Sequence, residues 1–266
     1  MFENEKSEEQ QVLEKFLSMS VKSSDEVFDA FKEIEGAKLY GNKPLKRFIY
    51  IPGNRDDRVL LVAHADTVWD NNWQPNLNDL PQKIRFRYNA YMNENKEADC
   101  GIGADDRAGC AILYLLKNSG HSLLILDGEE HGQVGANFLK NEYPELFNEI
   151  NNHQYMFQFD RRNNNEFKCY NIPVTNSFKL DIAKNLRYWN AGKSSTTDIA
   201  VLCKDICGAN LSVGYYNEHT RNECLIYTEW LKTYKKVSKF LSNEQKKYPS
   251  KTQLKNFKEN ENELTA

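Results

Sequence analysis

The chain has 266 residues, 40% hydrophobic and 27% charged, with a formal net charge of −3. That length buries a sizeable core, the balance is that of an ordinary globular protein, and the acidic excess argues against a nucleic-acid partner, which calls for basic residues. No run of about 18 apolar residues is present to span a membrane, and the start MFENEKSEEQQ lacks the apolar stretch of a secretory signal, so a cytoplasmic location without a membrane partner is expected.

Residues 6–19 and 24–35 have the periodicity of two amphipathic helices, with Ser23 and Glu26 spaced as a capping box. RFIYIPG (47–53) and RVLLVAHAD (58–66) read as strands around a polar turn at 54–57, and KIRFRYNAY (83–91) as one half-exposed strand. DCGIGADDRAGCAILYLL is a Gly-rich loop running into a helix, whose Ala108, Ile112, Leu115 and Leu116 follow the spacing of one face. Strand 122–127, helix 132–140, strand 154–160, helix 175–187, a strand in ANLSVGYY (209–216) and a long helix over 222–242 complete the pattern. Strands alternating with helices imply an α/β fold. Residues 1–245 are expected to form one domain, and the polar segment 246–266 a frayed or disordered tail.

The six cysteines, Cys100, Cys110, Cys169, Cys203, Cys207 and Cys224, form no paired CxxC set, which argues against a structural zinc site. Reduced thiols are expected, with Cys110, Cys203 and Cys207 serving as small buried hydrophobes.

Polar residues recur where apolar strands end. His64 and Asp66 follow LLVA, Asp105 and Asp106 precede a helix, Glu129 and Glu130 follow LLIL, Asp160 ends YMFQF, and His219 closes SVGYYNEH. Singly, each has an ordinary explanation: a satisfied strand-end histidine, a helix cap, a solvated pair of glutamates. Jointly they fall where functional groups gather in α/β sheets. If they converge, their carboxylates cannot all stay ionised without strong cations. Two divalent metals would supply that charge, and oxygen and imidazole donors without thiolate suit zinc, manganese or cobalt.

HADTV (64–68), GADDRAG (103–109), DGEEHGQVGA (127–136), FDR (159–161) and GYYNEHTRNE (214–223) together resemble the co-catalytic two-zinc exopeptidases. That clan includes peptidase T, carnosine-type dipeptidases and single-domain zinc aminopeptidases. STTDIAVL (195–202) resembles a Ser/Thr-Asp segment near their site. The resemblance implies a three-layer α/β/α sandwich around a mixed central β-sheet, the zinc-exopeptidase (phosphorylase/hydrolase-like) fold. It implies two divalent metal ions, most often Zn, bound by His64, Asp105 (bridging), Glu130, Asp160 and His219. Asp66 would orient His64, Glu129 would be the general base, and the Asp105–Asp106 peptide would be cis. Thr197 and Asp198 are candidate substrate contacts. Tyr215 and Tyr216 are expected as a packed aromatic pair, with contacts to the oxyanion as the alternative, and His131, His121 and His153 receive no role.

One departure from peptidase T and the dipeptidases stands out. Their lid or dimerisation domain of about a hundred residues has no counterpart after FDR, where 34 residues separate Asp160 from Ser195. The layout is that of a bare catalytic domain. The implied activity is an aminopeptidase or dipeptidase, a metallo-exopeptidase acting on peptides. Alternatives are an N-acyl-amino-acid amidohydrolase using the same site and an inactive binding protein of the same fold.

Overall fold

The computed structural model describes residues 5–70, 82–95, 99–191 and 196–252. In chain order the elements begin with α1 (Glu8–Leu17), α2 (Asp25–Lys32), β1 (Lys38–Lys43), β2 (Lys46–Ile51), β3 (Leu60–His64), β4 (Ile84–Arg87) and β5 (Ala90–Asn93). Then come α3 (Ala104–Leu115), β6 (Ser122–Leu126), α4 (Val134–Glu142), α5 (Pro144–Ile150), β7 (Met156–Arg161), β8 (Glu166–Lys168) and α6 (Asn176–Leu186). Last are β9 (Trp189–Asn190), α7 (Asp198–Leu202), β10 (Gly208–Ser212), β11 (Tyr215–Tyr216), β12 (Cys224–Ile226) and α8 (Tyr227–Leu241).

The main sheet is mixed, in the order β1-β2-β6-β3-β7-β10-β8-β9. Its centre, β6-β3-β7-β10, is parallel, with antiparallel pairings outside it at β1-β2, β2-β6 and β10-β8. Every residue of β3, β6 and β10 is buried, as expected of parallel strands covered on both faces. β7 shows the two coverings directly. Phe157 packs on Phe178 of α6 and Phe240 of α8, while Gln158, one residue on and on the opposite face, accepts the N–H of Ile199 in α7. The result is the expected three-layer α/β/α sandwich.

From β3 the chain steps to β6 on one side and then returns to β7 on the other. Such a reversal opens a crevice at the carboxyl ends of the strands. A second antiparallel sheet, β11-β12-β5-β4, lies apart from the first.

Several boundaries depart from the sequence reading. The strand expected over 83–91 is a hairpin, with Tyr88 and Asn89 both at positive φ; the alternating pattern runs unbroken through a turn that carries no glycine. The expected strand 209–216 breaks at Gly214, whose φ is +89, and the helix expected from 222 begins only at Tyr227, after β12. The capping box does not form: Ser23 Oγ accepts the N–H of Asp25, and Glu26 takes that of Ser20. Within 246–252 the chain is anchored at Tyr248 and Ser250, which are buried, and at Pro249, which bridges Ile206, while the other residues are exposed; the rest of the expected tail lies outside the described residues. Between β7 and α7 the described residues form only β8, α6 and β9. No helix among the described residues is long and apolar enough to cross a membrane.

Candidate metal centre

The parallel strands deliver their carboxyl ends to one place. His64 is the last residue of β3 and Asp160 lies near the end of β7. Glu129 and Glu130 sit in the loop after β6, and His219 in the loop after β11, at a φ of +61. Asp105 stands at the start of α3, and its peptide to Asp106 is cis. Gly109 lets that helix start lie close: a Cβ there would collide with the Asp106 carboxylate and the Phe159 carbonyl.

Asp105 divides the cluster in two. Its Oδ1 lies 3.2 Å from His64 Nε2, which is itself 3.6 Å from Asp160 Oδ1. Its Oδ2 lies 3.2 Å from His219 Nε2, which is 2.8 Å from Glu130 Oε1. Despite that short contact, Glu130 Oε1 is buried and not aligned for any hydrogen bond. Donor atoms of His64, Asp105 and Glu130 all fall within 4.8 Å of one another. All five expected ligands are therefore brought together, around the two oxygens of one carboxylate.

The supporting groups are equally specific. Asp66 is fully buried, with Oδ1 3.4 Å from His64 Nδ1, and its two oxygens accept the backbone N–H groups of Glu129 and Glu130. Glu129 lines the cleft beside Asp105, Glu130 and Asp160 and receives a hydrogen bond from Gln133 at 3.2 Å. Thr197 does not face the cleft: it is buried and donates to Asp160 Oδ2 at 2.7 Å. Asp198 is wholly buried, with neither carboxylate oxygen hydrogen-bonded. Both fall short of the substrate contact expected of them, and the adjacent Thr196 lines the cleft instead. Ser195, which opens the quoted segment, lies outside the described residues.

Tyr215 and Tyr216 are not a packed pair. They alternate in β11, so Tyr215 turns inward to donate to Asp160 Oδ1 at 3.1 Å, while Tyr216 donates to Glu229. His131 is exposed. His121 and His153 are core histidines, bonded to the Val59 N–H and Leu241 carbonyl and to Ser122 and the Glu149 carbonyl respectively. Sequence reasoning missed Glu223, which accepts the N–H groups of Gly103 and Asp105, and gave no side-chain role to Asp106, which accepts the N–H of His64. It also missed Arg162 on the cleft wall. Glu223 closes a stretch already singled out for His219, and Asp106 stands beside Asp105 in another; Arg162 carries no spacing signal of its own.

Protein charges alone leave this cluster overloaded. Burial and the Asp160 carboxylate push Glu129 up to about 10, and burial pushes Glu130, Asp160 and Asp198 upward. Asp105 and Glu130 hold His219 up to about 11. Burial alone would lower His64, but Asp105, Asp160 and Asp66 together hold it well above its usual value. The buried cation nearby, Arg107, donates to the carbonyls of Ala65, Ser20 and Ser23 rather than to a carboxylate. Converging oxygen and imidazole donors, an orphaned Glu130 oxygen and uncompensated negative charge all fit a pair of divalent cations.

No family model and no curated protein matches the chain. Among solved structures it resembles aminopeptidase PepT from Bacillus cereus (13% identity, TM-score 0.63, covering 88% of this chain and 98% of that one). A tripeptidase from Staphylococcus aureus gives 12%, 0.62, 88% and 98%, and the TET1 peptidase of Pyrococcus horikoshii 14%, 0.54, 88% and 98%. At these identities the likeness is one of fold, the fold that these three peptidases share.

Proposed function

We propose that the protein is a metal-dependent exopeptidase that holds two divalent ions, with zinc the best-suited metal. The observation that carries this reading is the division of the cluster by Asp105, with His64 and Asp160 toward one of its oxygens and His219 and Glu130 toward the other. The peptidases of the same fold support it.

In this reading His64, Asp160 and Asp105 hold one ion, and His219, Glu130 and Asp105 the other. Ions so held would polarise the scissile carbonyl and lower the pKa of water toward about 7. Glu129 acts as general base: it takes the proton from the attacking water and returns it to the departing nitrogen. Its pKa of about 10 belongs to the protein without cations, where burial first and the Asp160 carboxylate second disfavour its charge; positive charge in that neighbourhood would offset both and favour the ionised form. Asp66 fixes the ring of His64 and, through two backbone N–H groups, keeps Glu129 and Glu130 in their separate places.

The test is metal analysis together with a screen of zinc-loaded protein against aminoacyl amides, dipeptides and N-acyl amino acids. Two equivalents of metal and cleavage of the amides or dipeptides are expected. Cleavage confined to the N-acyl set would replace this reading with the amidohydrolase one. Metal binding without any hydrolysis would point to a binding protein.

A further inference from the structure

Two arginines in the cleft have no task in the chemistry just described. Arg161 is committed, since its Nε and Nη2 both donate to Glu166 Oε2, at 3.0 and 2.6 Å, and its side chain is only 15% exposed. Arg162 is not. Its side chain is 58% exposed, and only Nη1 is engaged, by Glu218 at 2.8 Å. Its Nε and Nη2 have no protein acceptor among the described residues. Those two N–H groups form the planar fork that matches a carboxylate, and Glu218 holds the opposite side of the guanidinium.

Placement gives the fork a meaning. Arg162 is two residues beyond Asp160, about 7 Å along an extended chain, and both line one cleft of about 220 Å³. That is smaller than the roughly 300–1,000 Å³ of an ordinary small-molecule site. The other charged side chains on the wall are the acidic Asp105, Glu129, Glu130, Asp160 and Glu218, the committed Arg161 and the ligand candidate His219. Among the described lining residues, Arg162 is the arginine whose Nε/Nη2 fork is open, that of Arg161 being filled by Glu166.

We propose that Arg162 is the subsite for a carboxylate on the amino acid that leaves, one residue beyond the scissile bond. The substrates are then compounds whose departing amino acid carries a negative charge close to the cut, rather than long neutral chains. The inference rests on the hydrolase reading above. Two sources share this chemistry: the α-carboxylate of a dipeptide or acylated amino acid, and an acidic side chain at the same position.

The experiment compares alanyl-alanine, alanyl-alanine amide and alanyl-glutamate α-amide on the zinc-loaded full chain, with Arg162→Ala and Arg162→Lys beside it. The free acid should exceed its amide by about 10–100-fold in kcat/KM, mostly through KM, as for charge-assisted hydrogen bonds of 1.5–3 kcal/mol. Arg162→Ala should bring the free acid down to the level of the amide, and Arg162→Lys should restore part of the gap. If alanyl-glutamate α-amide behaves as the free acid, the side chain supplies the carboxylate; if as the amide, the α-carboxylate does. Equal rates for acid and amide, or a gap that survives Arg162→Ala, overturn the subsite while leaving the hydrolase reading intact. Calorimetric binding of the same ligands to Glu129→Gln separates the opposite case. Arg162-dependent binding of the acid with no turnover by wild type sinks the hydrolase reading and keeps the subsite. Binding indifferent to the carboxylate sinks the subsite.

Discussion

Asp66 Oδ1 accepts the backbone N–H of Glu129 at 3.1 Å, while its Oδ2 accepts that of Glu130 at the same distance. One buried carboxylate thereby ties the end of β3 to the loop after β6, and it also lies beside the His64 ring. Asp66→Ala leaves two N–H groups without acceptors and removes the carboxylate beside the ring, while the Asp66 backbone carbonyl, 3.1 Å from His64 Nδ1, stays. Groups that orient a metal's ligands typically change affinity by about 10–100-fold. A loss of that size is expected for zinc, read by competition with a chromophoric chelator; an unchanged affinity would remove Asp66 from the site.

The adjacent glutamates should separate cleanly. Among the described residues Glu129 forms no ion pair with His64 or His219, whereas Glu130 Oε1 lies 2.8 Å from His219 Nε2. Glu129→Gln should keep both metals and lose about 10²–10⁴-fold in kcat, the scale of general-base catalysis. Glu130→Gln should lose metal. Elemental analysis beside a rate assay decides it, and two variants with the same metal content would contradict the assignment.

The halves of the centre differ in access. The His64 side chain is 1% exposed and that of Asp160 9%, but that of His219 is 46% exposed. A chelator should therefore strip the His219–Glu130 side first, giving two kinetic phases of metal release. His219→Ala should retain about one equivalent, while Asp105→Ala, which removes the shared carboxylate, should retain neither. Single-phase release of both ions would contradict this order.

Glu223 supports the same centre from behind. It is 2% exposed and accepts the N–H groups of Gly103 at 2.7 Å and Asp105 at 3.0 Å. Gly101 is packed so tightly on its carboxylate that a Cβ would collide with it. Glu223→Ala leaves two buried donors unpaired, a loss of roughly 2–6 kcal/mol at about 1–3 kcal/mol each. Urea denaturation measures it, and a midpoint unchanged from wild type would show that water replaces the carboxylate.

Much of this was legible in the chain. The central strands and α3 announce themselves by apolar runs and helical spacing, and the site residues by interrupting those runs where strands end. The parts that were not legible have physical reasons. The Tyr88–Asn89 turn keeps the alternation of the strands it joins and uses no glycine. β1, β8 and β9 are held by neighbours rather than by their own pattern: β9 pairs only two residues with β8. Thr197 and Tyr215 could be placed near the site by order in the chain, but that both donate to Asp160 depends on side-chain direction, which spacing does not encode. Arg162 differs from Arg161 only in what happens to stand opposite it.

His153, far from the centre in role, sets a pH limit on stability. Burial, with the Arg58 charge adding to it, lowers the imidazole to about 4, while the unfolded chain carries it near about 6.5. Below about 6.5 the unfolded state takes up a proton that the folded state refuses until about 4. Stability from this group is thus present at neutral pH and falls as pH drops through that window, by about 1.36 kcal/mol per unit and roughly 3 kcal/mol in all. His153→Gln keeps a polar side chain toward Ser122 without the titration. It should be less stable than wild type at pH 7, with the gap narrowing toward pH 4. Urea denaturation of the metal-free proteins at several pH values tests this, and parallel curves for the two would show that His153 is not the group being titrated.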